Sequence, residues 1–493
     1  MSPQEVNNVV IAGGGTAGWM AAAALSRLVG RPINITLVES DEIGIVGVGE
    51  ATIPSLLTIN RLLKIPEPEF IRVTNGTFKL GIQFENWYQE GHSYIHSFGD
   101  TGKGCWAGGF HHFWLRGRKE GIADEYGAYC AELKATEQGR FGLVPGQNLN
   151  YAYHVDATQY GQYLRKIAED AGTTRVEGKI SNVELDPENG HISALQLASG
   201  QRIEGDLFID CTGFRALLIE QALKTGFDDW SHWLPCNRAL AVQSELHGDP
   251  PPYTRAIAHD AGWRWRIPLQ HRAGNGLVFS SDFLDTEKAR DRLLNAISEP
   301  TLTEPREIHF TTGQRRKYWH KNCVALGLSS GFIEPLESTS IHMIQNGIMW
   351  LLLMFPDHRI EQSVVDEYNT KMRTEADHIR DFIVLHYTAN QRVGDPFWDA
   401  LRHMPLPDSL QHRMDLFRQT ARVFKPQEDV FAENSWVQVM MGQGIVPKQY
   451  HNIADSLSLP QLKDFLEQAK NHTNTVVAQL PPHGDFVRRY RAR

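Results

Sequence analysis

The first apolar run, Val9-Val-Ile-Ala12, leads straight into Gly13-Gly-Gly-Thr-Ala-Gly18. An alanine-rich stretch over residues 19–28 and a second apolar run over 33–38, ending at Glu39, follow it. That order predicts one strand–helix–strand unit. Farther on, helical spacing appears over 157–171, and strand-like runs over 180–185, 192–197 and 207–210. The middle of the chain thus reads as a β-rich insertion that returns to the first sheet. Residues 341–354 are strongly apolar at helical spacing, and from Asp357 onward polar and apolar positions mix with the same period, which predicts a helical last third.

Composition narrows the class. The chain has 493 residues, with 41% hydrophobic and 22% charged residues, as in folded globular proteins. Its net charge of −9 argues against a nucleic-acid partner that needs a broad basic face. The basic ending Arg488, Arg489, Arg491 and Arg493 reads as a solvated tail. Five scattered cysteines form no Cys-x-x-Cys pair, which suggests neither a disulfide framework nor a metal site. The longest greasy run, over 348–355, is far below the ~20 residues that span a bilayer. No basic-then-apolar leader precedes the first strand, so a cytoplasmic protein without a membrane partner is expected.

Gly13, Gly15 and Gly18 form a Gly-x-Gly-x-x-Gly fingerprint, and Glu39 closes the next strand. The first glycine permits a tight turn, the second lets a pyrophosphate approach the helix amino end, and the third allows close packing of helix on strand. Glu39 would accept hydrogen bonds from ribose hydroxyls. The alternative is a glycine-rich turn without a ligand, and the fingerprint alone does not separate NAD from FAD. The next turn, Ile45-Val-Gly-Val-Gly-Glu-Ala-Thr-Ile-Pro54, reads either as a strap over a cofactor or as an ordinary surface loop.

Three further segments together resemble one family, the flavin-dependent halogenases of the tryptophan-halogenase type: Trp263-Arg-Trp-Arg-Ile-Pro268, Lys79 within Phe78-Lys-Leu-Gly81, and Glu334-Pro-Leu-Glu-Ser-Thr339. Gly47-Val-Gly-Glu-Ala-Thr-Ile-Pro54, His154-Val-Asp156 and Asp210-Cys-Thr-Gly-Phe214 belong to the same resemblance, which thins after about residue 350. It implies an α/β, FAD-binding Rossmann-like fold of the aromatic-hydroxylase type. A flavin module would span residues 1–345 with an interleaved β-rich insertion, and a helical substrate-side layer residues 346–493.

The implied enzyme has two components. A separate flavin reductase supplies FADH2, oxygen adds to the flavin, and chloride or bromide attacks the resulting peroxide. The hypohalous acid then travels to Lys79, beside an electron-rich aromatic substrate. Lysine suits this task because its ammonium can polarise hypohalous acid and its neutral amine can form a haloamine. Glu337 would stabilise and deprotonate the ring cation, although as a first-turn acid it could equally serve the helix dipole. The resemblance further implies Thr16, Ala17, Gly49, Ala51, Leu328 and Ile341 as cofactor contacts. It places halide at the amides of Thr339 and Ser340, and substrate at His96, Phe98 and Ser338, although His96 and Phe98 read equally well as a buried histidine and a core phenylalanine. Trp263 and Trp265 would share one strand face and wall the flavin chamber. Ser340 departs from the glycine often found there, which leaves halide preference and exact loop geometry open, since glycine adopts backbone angles that serine avoids.

Two other readings stand beside this one: a single-component FAD aromatic hydroxylase and a non-catalytic FAD-fold binding protein. Val324-Ala-Leu-Gly-Leu-Ser-Ser-Gly331 lacks the aspartate that such a hydroxylase carries near the flavin, and Lys79 and Glu337 argue against a binder. After Trp436 the chain reads Val-Gln-Val-Met-Met441, without the tyrosine pair that holds free tryptophan in its branch of the family. An indole-type substrate is therefore expected. The oligomeric state, with a dimer among the options, stays open.

Overall fold

The structure, a computed structural model, describes residues 5–43, 49–426 and 429–492. The chain folds as two units, each built from three segments: residues 1–75, 155–235 and 310–377 in the first, and 76–154, 236–309 and 378–493 in the second.

The first unit is organised by a six-stranded sheet. Its order is Trp319–His320, Cys323–Ala325, Leu207–Asp210, Asn8–Ala12, Asn34–Glu39 and Thr174–Glu177, and every neighbouring pair is parallel except the first. Near-continuous apolar runs such as Val9-Val-Ile-Ala12 suit such a sheet, because parallel strands are covered on both faces. The helix Thr16–Leu28 buries Trp19, Met20 and the alanines 21–24. Asp156 caps the helix Ala157–Asp170, accepting from the amides of Thr158 at 3.1 Å and Gln159 at 3.2 Å. Such a cap contributes about 1 kcal/mol. The strands Ile180–Leu185, Ile192–Leu197 and Arg202–Glu204 form a small antiparallel sheet, and Ile192, Leu195 and Leu197 pack on Val10, Val38 and Phe208. This is the β-rich insertion expected from the sequence. Leu207–Asp210 carries the chain back beside the first strand.

The second unit holds a seven-stranded sheet ordered Arg306–His309, Arg238–Ser244, Ala273–Phe279, Gly262–Pro268, Tyr253–His259, Gly81–Glu85 and Ser93–Ser97. Only Tyr253–His259 and Gly81–Glu85 run parallel. Just before Gly81, Thr77–Lys79 pairs with the strand Ala152–Asp156, setting Thr77 opposite His154 and Lys79 opposite Ala152. Helices of this unit include Phe110–Lys119, Pro396–His403, Asp408–Thr420, Glu433–Gly442 and Leu459–Ala478. Of the basic ending, Arg488, Arg489 and Arg491 are exposed to solvent, and Arg493 lies outside the described residues. Arg488 and Arg489 belong to the helix His483–Tyr490, whose Phe486 and Tyr490 rings lie 5.3 and 5.5 Å from Phe78, while Arg488 pairs with Asp249. No helix among the described residues is long and apolar enough to cross a membrane.

Candidate active site

In the first unit the fingerprint residues meet at one turn. Gly13 has φ +107°, and a Cβ there would lie 2.3 Å from the Cys211 carbonyl oxygen; at Gly18 it would lie 1.9 Å from the Gly13 carbonyl oxygen. A Cβ on Gly15 meets nothing within 4 Å. The helix beginning at Thr16 has no side-chain cap on its amino end. Two glycines thus close the turn while the third leaves an open approach to backbone amides, an arrangement that fits a dinucleotide pyrophosphate. Glu39 accepts from Trp19 Nε1 at 3.3 Å and from Arg175 Nε at 2.6 Å. Leu328 lies in the short helical turn Gly327–Ser329, and a Cβ on Gly327 would stand 2.9 Å from the Ala17 methyl. That turn therefore borders the fingerprint. Asp210 fixes the neighbouring loop by accepting from the amides of Thr212, Leu218 and Ile219 at 2.8–2.9 Å.

Gly49 and Ala51 are buried in the strand Gly49–Ala51, whereas residues 45–48 of the proposed strap lie outside the described residues. Burial raises the Glu50 carboxyl to about 7.

Glu337 ends the 3-10 turn Pro335–Glu337 and is fully buried, as is Glu334. Thr339 precedes the helix Ser340–Leu353 and supplies no side-chain cap, and Ile341 is buried in its first turn. The left-handed position in this loop is Ser338, at φ 60°. Ser340 already belongs to the helix and Thr339 has φ −89°. The freedom of a glycine is therefore not required at residue 340.

In the second unit Lys79 is fully buried, with Nζ 5.1 Å from the centroid of Phe98. The amide of Phe98 donates to the Leu80 carbonyl at 2.9 Å, which fixes the ring next to the lysine strand. His96 is buried, 6.5 Å from Phe98, 5.5 Å from Phe382 and 6.3 Å from Phe431 between ring centroids. Phe382 in turn stacks on Phe431 at 3.8 Å and meets Trp436 edge-on at 4.7 Å. Lys79, His96 and Phe98 are thus gathered at one aromatic wall. Trp263 and Trp265 are buried 6.1 Å apart, and the Trp265 ring fills the space where Gly276 lacks a side chain. Burial lowers the intervening Arg264 to about 10.

The sequence did not assign the supports beneath Lys79. Thr77 Oγ1 donates to the Pro268 carbonyl at 2.8 Å, so it accepts from His154 Nδ1–H at 2.9 Å; His154 Nε2 then accepts from Thr254 Oγ1 at 2.9 Å. Both ring nitrogens serve a neutral imidazole. Its burial first, and then the charges of Lys79 and His483, hold His154 well below the usual histidine range. His483 Nδ1–H donates to the Pro250 carbonyl at 2.7 Å, and Nε2 accepts the Phe78 amide at 3.2 Å. Burial lowers His483 to about 4. Of this network, His154, Phe78 and Pro268 lie in the motifs noted in the sequence, whereas Thr77, Thr254, Pro250 and His483 carry no such signal.

The glycine turn, that of a dinucleotide-binding oxidoreductase, and the buried acid before a helix start belong to the first unit, and the buried lysine with its aromatic wall belongs to the second. Residues 8–458 match the family model described as tryptophan halogenase, and the chain belongs to that family of flavin-dependent enzymes. Tryptophan 6-halogenase ThaL of Streptomyces albogriseolus is 33% identical, covering 98% of each chain. Tryptophan 7-halogenase RebH of Lentzea aerocolonigenes is 32% identical, covering 99% of each. A solved flavin-dependent halogenase from Xanthomonas campestris superposes with TM-score 0.97 at 54% identity, covering 99% of each chain.

Proposed function

We propose that the chain uses FADH2, dioxygen and a halide to halogenate an indole-type aromatic ring, with Lys79 presenting the hypohalous acid and Glu337 receiving the ring proton. The observation that carries this reading is the full burial of Lys79 against the Phe98 ring. A water-shielded ammonium donates a strong hydrogen bond to hypohalous acid, and in its neutral form a haloamine is accessible; bulk water would quench either route. Reduced FAD, bound at Gly13, Gly15, Thr16, Ala17, Gly18 and Glu39 and bordered by Gly49, Ala51, Leu328 and Ile341, supplies the oxygen chemistry that oxidises the halide. Electrons reach it through a separate flavin reductase.

The amides of Thr339 and Ser340 attract the halide to the start of Ser340–Leu353. His96 and Phe98, with Ser338 as a hydrogen-bonding group, hold the aromatic substrate. Trp436, Val437, Val439 and Met440 are buried, and the amide of Gln438 among them is held by Ser97 and Gly99; such a setting offers little to an amino-acid backbone and favours indole over free tryptophan.

The test is direct. The protein is incubated with FAD, a flavin reductase, NADH, bromide and indole, and the products are read by mass spectrometry. A bromine isotope doublet on the indole mass supports the reading; hydroxyindole, or unchanged indole with NADH consumed, refutes it.

A further inference from the structure

We propose that His342 is a positioning residue for halide binding, acting through a buried Ser55–His342–Glu375 relay within the first unit. The proposal rests on the halide reading of Thr339 and Ser340 and deepens it. His342 Nε2 lies 2.7 Å from Glu375 Oε1, and Asn346 Nδ2 donates to Glu375 Oε2. Facing a carboxylate, Nε2–H donates to Glu375; in the neutral ring Nδ1 then accepts a hydrogen bond from the Ser55 hydroxyl, at 2.8 Å. Gln345 Nε2 donates to the Ser55 carbonyl at 2.8 Å. One helix face, through residues 342, 345 and 346, therefore grips Ser55 at two atoms and Glu375 at two more. His342 and Glu375 are both buried, at 9% and 6% exposure.

The position of this grip gives it consequence. His342 stands in the first turn of Ser340–Leu353, two residues after the second amide assigned to halide. Ser55 begins the helix Ser55–Leu62, which follows the buried segment Gly49, Ala51 and Ile53. The amino end of Ser340–Leu353 has no side-chain cap of its own. Its direction is set from outside, by a hydrogen-bonded chain of fixed polarity from Glu375 through the imidazole to Ser55. Anion binding by two amides depends on their aim, so a loosened relay weakens halide binding before it affects the chemistry of a halide already in place.

The experiment compares wild type with Ser55→Ala, Ser55→Thr and His342→Ala. Bromide KM and kcat are measured with indole, and the bromide dependence of the thermal midpoint is measured on the protein loaded with oxidised FAD. In Ser55→Ala the expected rise in bromide KM is about threefold to tenfold, the range that one neutral hydrogen bond gives, with kcat at saturating bromide changed less than about twofold. The thermal shift should need correspondingly more bromide. Ser55→Thr, which keeps the hydroxyl, should restore both values, and His342→Ala should be at least as impaired as Ser55→Ala. An unchanged bromide KM and thermal response in Ser55→Ala, or a loss of kcat with KM unchanged, overturns the proposal while leaving the halide reading intact. A wild-type protein without saturable bromide dependence in either measurement overturns both.

Discussion

Lys79 points its ammonium at the face of Phe98, with Nζ 5.1 Å from the ring centroid. The lysine is fully buried, and a desolvated cation–π contact of this kind contributes ~2 kcal/mol. The same ring belongs to the aromatic wall proposed to hold the substrate. Phe98→Leu should therefore lower kcat/KM for indole by about tenfold, the size of a lost contact of 1–2 kcal/mol, and leave the Kd for FAD unchanged. Steady-state kinetics with an FAD titration check this; an unaltered kcat/KM would remove Phe98 from the substrate site.

Glu337 is buried where a 3-10 turn hands over to a helix. If it takes the ring proton, Glu337→Gln should slow turnover by about a hundredfold or more, within the usual range for a general base, with reduced-flavin oxidation unaffected. Single-turnover halogenation measures this. A rate equal to wild type would assign the residue to the helix start alone.

In the helix Glu433–Gly442, Trp436, Val437, Val439 and Met440 are buried, and the one polar side chain buried among them, Gln438, is engaged by the Ser97 amide at 2.8 Å. Indole should accordingly exceed free tryptophan in kcat/KM in a side-by-side assay, because the carboxylate and ammonium of tryptophan would be desolvated against this helix without compensation. A clear preference for tryptophan contradicts the substrate assignment.

Burial lowers His111 and His483 to about 4 and His112 to about 3. For each the folded value lies below the unfolded one, so as pH falls the unfolded chain takes up protons first. The stability they support is complete above about 6.5 and is lost as the pH drops toward 4, at about 1.4 kcal/mol per pH unit for each group. The thermal midpoint should therefore fall between pH 7 and pH 5, and His483→Gln should flatten that dependence. Parallel curves for the variant and wild type would show that His483 titrates alike in both states.

Much of this architecture is legible in the chain because it is local. The strand–turn–helix–strand around Gly13 and Glu39, and the strands Ile180–Leu185, Ile192–Leu197 and Leu207–Asp210, follow from the spacing of apolar residues. The helix Ser340–Leu353 begins one residue before the apolar pattern predicts, since its first residue is a polar serine that adds nothing to that pattern. The supports of the site have no such signature. The Phe78 amide meets His483 across 405 residues and Ser55 meets His342 across 287; a hydrogen bond between distant residues leaves no periodicity. The left-handed backbone at Ser338 is equally hidden, because residue type singles out Ser340, whereas the turn depends on where the helix begins.

The central claim is that an oxidant derived from the flavin is used beside Lys79. The decisive measurement is bromoindole formation by Lys79→Ala, quantified by mass spectrometry alongside FAD binding and reduced-flavin oxidation. Brominated product is expected to be lost with both flavin properties intact. Bromoindole formed at the wild-type rate would contradict that claim.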